Sequence, residues 1–87
     1  DNILILAPAN PETHLKYART ALSYGKNTYI DKTFAPDLEN AKAIFDLGKK
    51  YGTKFFSTSA LRFTKETDDL SKVKSLQVWG AGRKLEE

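Results

Sequence analysis

Five apolar residues in a row, Ile3-Leu4-Ile5-Leu6-Ala7, constrain the architecture more than any other stretch of the chain. A strand with one wet face alternates apolar and polar residues. An unbroken run instead reads as a strand of a parallel sheet, buried on both faces. Parallel neighbours need a crossover, and the following residues spell one. Asn10 is placed as the N-cap of a helix with Pro11 at its first position, where the missing N–H costs nothing. Leu15, Ala18, Ala21 and Leu22 recur at helical spacing as the buried stripe. Gly25 supplies a left-handed stop, with Lys26 beside the negative end of the helix dipole. A second strand over 27–30 follows, so the first third of the chain has βαβ order.

The unit then repeats. Asp37 is placed to cap a second helix, with Leu38, Ala41, Ile44, Phe45 and Gly48 along one face and Gly52 at its end. Gly48 inside that helix costs about 1 kcal/mol relative to Ala, so its presence predicts close packing against a strand or another helix. Residues 54–58 read as a third strand, with Ser57-Thr58-Ser59 at its carboxyl end. A weaker helix is expected over 65–73. A last strand is expected over 75–80, where Leu76-Gln77-Val78-Trp79 alternates enough to have one solvated face. That change of character puts a domain boundary near 71–74, with residues 1–72 in one unit and 73–87 opening a second. The expected fold class is α/β with a parallel βαβαβ sheet. The apolar run begins after two residues and without an initiating Met, so its sheet neighbours are expected to come from a longer protein of which this chain is a piece.

Composition excludes several classes. With 40% hydrophobic and 29% charged residues, the chain reads as a soluble globular domain. It has no apolar run of membrane-spanning length. Its net charge of +3 is dispersed, with no block of one sign, which argues against a nucleic-acid footprint. Zero Cys removes any disulfide framework and agrees with a cytoplasmic location. With one His and no Cys, a self-contained zinc site is not expected. There is no Ser-His-Asp arrangement, no G-x-G-x-x-G and no Walker loop, and Gly80-Ala81-Gly82 lacks the following glycine.

The carboxyl end of a strand in an open α/β sheet is where ligands bind, which singles out Asp31 and Lys32. Asp31 is adjacent to Lys32 and placed to orient it. Lys32 is either a donor to a substrate hydroxyl or cofactor, or a surface lysine at a strand end. His14, in the first turn of its helix, is either a neutral ring facing a ligand or a packed structural residue. Arg62 is either a bidentate partner for phosphate or carboxylate, or else the donor of an interdomain ion pair or a solvated side chain.

Several stretches together resemble a known family. They are Pro8 through His14, Ala21-Leu22-x-x-Gly25-Lys26, Tyr29-Ile30-Asp31-Lys32, the helix that carries Ala41 and ends at Gly52, and Arg62-Phe63. In this order they are similar to the second half of the nucleotide-binding domain of the glucose-fructose oxidoreductase and inositol dehydrogenase (Gfo/Idh/MocA) family. The resemblance implies the carboxyl-terminal half of a Rossmann domain over 1–72, with 73–87 as the first strand of a substrate or oligomerisation domain. It implies NAD or NADP as cofactor, a sugar, inositol or related polyol as substrate, and a homo-oligomeric full-length enzyme. Lys32 corresponds to the lysine of the family's Glu-Lys-Pro motif and is the catalytic candidate. Pro8, Asn10, Pro11, His14, Asp31, Lys32 and Arg62 are the cofactor-binding candidates. Thr33 stands where that motif has a proline, often with a cis bond before it, and Ala60 stands where an Asn is frequent. The glycine-rich turn is expected upstream and the proton-transfer Asp and His downstream, so the 87 residues alone are expected to be inactive. A non-catalytic sensor or assembly protein of the same fold is the alternative; a standalone flavodoxin-like binding module is a third.

Overall fold

In the computed structural model the described residues are 1–7, 10–65, 69–75 and 77. They form β1 (Ile3–Ile5), α1 (His14–Ser23), β2 (Thr28–Ile30), α2 (Leu38–Tyr51) and β3 (Phe55–Phe56), with 3-10 turns at Pro11–Thr13 and Ala60–Phe63. The sheet is parallel in the order β1-β2-β3. This is the βαβαβ order of half a Rossmann domain. Each strand follows its predecessor in the same direction, so right-handed crossovers place both helices on one face. α1 and α2 accordingly pack against each other.

The helix signals act as local chemistry requires. The Asp37 carboxylate accepts the Asn40 N–H at 2.8 Å and the Asn40 side-chain amide at 2.9 and 2.8 Å, closing the first turn of α2. Gly25 and Gly52 take φ of 67° and 63°, the left-handed conformation that ends each helix. A Cβ on Gly48 would lie 2.5 Å from the Phe55 ring and 3.3 Å from the Thr53 carbonyl, so the missing side chain is what lets α2 approach β3. The start of α1 differs from expectation. Asn10 occupies the cap position, but its side chain makes no capping bond, and the chain enters through the 3-10 turn before α1 begins at His14. Instead the Asn10 carbonyl accepts from Thr13 twice, from the N–H at 3.2 Å and from Oγ1 at 2.9 Å.

The core lies between the sheet and the helices: Ile5 and Ile30 from the strands, Ala18, Ala21 and Leu22 from α1, and Ile44 from α2. Two buried threonines close polar gaps around it. Thr28 Oγ1 donates to the Lys26 carbonyl at 2.8 Å, and Thr53 Oγ1 donates at 2.6 Å to the Leu22 carbonyl, which also accepts the Gly25 N–H at 3.2 Å where α1 ends. The other face of the sheet departs from the reading of β1 as buried on both sides. Leu4, Tyr29 and Phe56 are in register across the three strands, and Leu4 and Phe56 are 62% and 60% exposed. Side chains alternate along a strand, so Ile3 and Ile5 reach the helices while Leu4 lies on the opposite face, away from α1 and α2.

The described residues within 65–73 also depart from the expected helix. Val73 N–H donates to the Leu70 carbonyl at 3.1 Å in a turn. The Asp69 carboxylate accepts from the Ser71 N–H at 3.0 Å and its hydroxyl at 2.6 Å, a local pairing that competes with helix formation. Most of the strand expected over 75–80, Gly80-Ala81-Gly82, most of the 73–87 unit and Pro8 lie outside the described residues; Ser75 and Gln77, which are described, are not in a strand. Among the described residues, no helix is long and apolar enough to cross a membrane.

Candidate functional site

The loops that follow the three strands meet at the carboxyl edge of the sheet, and two separate hydrogen-bonded groups hold them. The first is built on His14, the opening residue of α1, which is fully buried. Its Nδ1 lies 3.1 Å from the Phe34 carbonyl, in the loop after β2, and its Nε2 lies 3.3 Å from the Ala7 carbonyl, after β1. A neutral ring donates to one of these carbonyls at a time, and a doubly protonated ring donates to both. In either state both ring nitrogens face backbone, and the imidazole ties the β1 and β2 loops together. Pro11 is half-buried and Asn10 exposed beside it.

The second group runs from β2 to the segment after β3. The Asp31 N–H donates to the Ile5 carbonyl at 3.0 Å, carrying the β1–β2 ladder one residue beyond the strand. Tyr29 and Asp31 lie two residues apart on an extended chain and share a face. The Tyr29 hydroxyl is 3.1 Å from Asp31 Oδ1 and 2.9 Å from the Thr58 carbonyl, two acceptors that share its one proton. Burial, then the hydrogen bond to Asp31 and the charge of that carboxylate, raise the Tyr29 phenol above its ordinary pKa. Thr58 is engaged a second time: Arg62 Nε donates to its Oγ1 at 3.1 Å. Arg62 is exposed on the 3-10 turn Ala60–Phe63, whose first turn is capped by Ser59 Oγ accepting the Leu61 N–H at 3.3 Å.

Lys32 belongs to neither group. It is exposed, and among the described residues it makes no ion pair with Asp31. The adjacency read as orienting the lysine therefore does not pair the two side chains, because consecutive residues of an extended chain point to opposite sides and Asp31 turns to Tyr29. The Lys32–Thr33 peptide is cis.

Of the candidates, the structure joins Asp31 and Arg62 through Tyr29 and Thr58, places His14 with Asn10 and Pro11 on the other side of the β2 turn, and leaves Lys32 open at the edge. Tyr29 and Thr58 were not among the candidate side chains. The two-residue spacing of Tyr29 and Asp31 in a strand is the available signal for the first, and the place of Thr58 at the carboxyl end of the third strand is the signal for the second. Leu4, Leu6, Tyr29, Phe56 and Phe63 line an open depression of about 500 Å³ on the bare face of the sheet, with Thr58 in its wall. Among the described residues, no group of three or more His, Cys, Asp or Glu could hold a metal.

Comparison with known proteins adds one line of support. Over 49 residues, 56% of this chain, the sequence is 39% identical to the uncharacterized oxidoreductase YhhX of Escherichia coli strain K12. The match spans 14% of that protein's own length. No family model matches the chain, and no solved structure does. The chain is thus an α/β unit with a parallel sheet and partial similarity to an oxidoreductase.

Proposed function

We propose that this chain is the carboxyl-terminal half of the nucleotide-binding domain of an NAD- or NADP-dependent oxidoreductase that acts on a sugar, inositol or related polyol. The observation that carries the reading is the position of Lys32: exposed and unpaired among the described residues, just beyond the carboxyl end of the central strand of a parallel sheet. Similarity to an oxidoreductase supports the reaction class.

The donor set fits such a ligand. The edge offers a lysine ammonium, an arginine guanidinium whose terminal nitrogens have no partner among the described residues, and a carboxylate with one oxygen open among them. These are groups for an anionic, hydroxyl-rich molecule. A nicotinamide cofactor would accept or give up the hydride. Lys32 would donate a hydrogen bond to the substrate hydroxyl being oxidised and take part in moving its proton. Arg62 would meet a phosphate or carboxylate. His14 would serve by holding the β1 and β2 loops at their spacing, with Asn10 and Pro11 at the same mouth. The pyrophosphate-gripping glycine turn and the remaining proton-transfer groups would come from other parts of the full-length protein.

The test is a fluorescence titration of NADH and NADPH into the full-length protein, followed by turnover on a panel of polyols. Saturable binding of either cofactor with reduction or oxidation of a polyol supports the reading. Binding without turnover on any substrate favours a non-catalytic protein of the same fold, and binding of neither cofactor contradicts both.

A further inference from the structure

Tyr29 occupies an unusual position for a strand residue. Its ring lies on the bare face of the sheet, edge-on to Phe56 with centroids 5.3 Å apart, yet its hydroxyl reaches the polar edge and touches two different segments. One contact, to the Thr58 carbonyl at 2.9 Å, anchors the hydroxyl to the end of β3. The other, to Asp31 Oδ1 at 3.1 Å, uses one carboxylate oxygen and leaves Oδ2 without a partner among the described residues. A half-buried carboxylate with one oxygen held and the other open is a prepared acceptor. At the carboxyl end of a strand in a nucleotide-binding sheet, a carboxylate is suited to accept from a ribose hydroxyl.

Resting on the cofactor reading above, we propose that Tyr29 is a positioning residue: its one phenol proton, shared between the Thr58 carbonyl and Asp31 Oδ1, ties Asp31 to the end of β3 so that Oδ2 accepts a hydrogen bond from a ribose hydroxyl of the nicotinamide cofactor. Without the phenol hydroxyl, Asp31 rotates freely about its side-chain bonds, and the ordering cost falls on ligand binding.

The experiment has two readouts on the full-length protein. The first is NADH affinity by fluorescence for the unsubstituted protein, Tyr29→Phe, Asp31→Ala and the double variant, with Asp31→Asn as the background if Asp31→Ala does not fold. Each single substitution should weaken binding roughly threefold to tenfold. The double variant should bind no worse than the Asp31 variant, because Tyr29 then has nothing to position. The second readout is a ¹³C NMR titration of the Tyr29 phenol, which should ionise above the ordinary value of 10.0 and move back toward it in the Asp31 variant. A phenol titration unmoved by the Asp31 substitution, or losses that multiply in the double variant, would overturn the proposal. If the unsubstituted protein binds no NADH, the cofactor reading fails, and the proposal with it; the phenol titration then shows separately whether the Tyr29–Asp31 contact exists.

Discussion

His14 and Phe34, twenty residues apart, are joined by a 3.1 Å hydrogen bond between the fully buried imidazole and a loop carbonyl. The same ring faces the Ala7 carbonyl at 3.3 Å, so one side chain sets the distance between the loops that follow β1 and β2. His14→Leu keeps much of the volume but removes the ring nitrogen that faces the half-buried Phe34 carbonyl, while the Ala7 carbonyl keeps the Asn10 N–H at 3.2 Å. It should lower stability by about 1 to 3 kcal/mol in a urea titration. Unchanged stability would mean that the loops hold their own spacing.

Gly48 and Phe55 make a sharper case, because two effects oppose. Gly48→Ala raises helix propensity by about 1 kcal/mol. Its new methyl must also displace a ring that stacks on Phe34 at 6.0 Å and meets Phe45 at 5.1 Å, and overpacking of this kind typically costs about 1 to 3 kcal/mol. The variant should therefore be destabilised, with helix content unchanged by circular dichroism. Adding Phe55→Leu to it should recover part of the loss.

Much of this fold is legible in the sequence where the rule is local. Asp37, Gly25, Gly52 and Gly48 each answer to backbone geometry within a few residues, and each behaves as its type requires. The apolar run at β1 is different: hydrophobicity says which residues gain from burial, not what is present to cover them, and so Leu4 is exposed beside a buried Ile5. Asp69 shows a similar limit, since its bonds to Ser71 defeat a helical pattern read from spacing alone. At the site, Asp31, Lys32 and Arg62 were legible as residue types at a sheet edge. The link from Tyr29 to Thr58 was not, because it joins residues 29 apart through a backbone carbonyl.

The pH dependence of stability should carry a mark of Asp37. Hydrogen bonds from the Asn40 N–H and side chain, and from the Glu39 N–H, hold its carboxyl below the ordinary value of 3.8. A depressed carboxyl contributes stability that is present above the unfolded value and lost as pH falls through the folded one. Thermal melts should thus show an acid-side loss below about pH 4 that is smaller in Asp37→Ser, a cap that does not titrate in this range. Equal acid sensitivity in the two proteins would remove Asp37 from that role.

Neighbouring residues of β1 should respond very differently to truncation in this chain. Ile5→Ala removes a core side chain and should cost about 2 to 4 kcal/mol. Leu4→Ala, on the bare face, should cost less than about 1 kcal/mol. Denaturant titrations of the two variants check the difference. If the full-length protein lays another layer on this face, Leu4→Ala becomes nearly as costly there as Ile5→Ala.

The central claim is that the open edge beyond β2 is a reaction site with Lys32 at its centre. Steady-state kinetics of Lys32→Ala in the full-length protein, with NADH binding measured on the same samples, tests it most directly. Cofactor affinity should change little while kcat falls roughly 10² to 10⁴-fold, the usual contribution of a positioned proton-transfer group. Turnover that survives the substitution within a few-fold would contradict it.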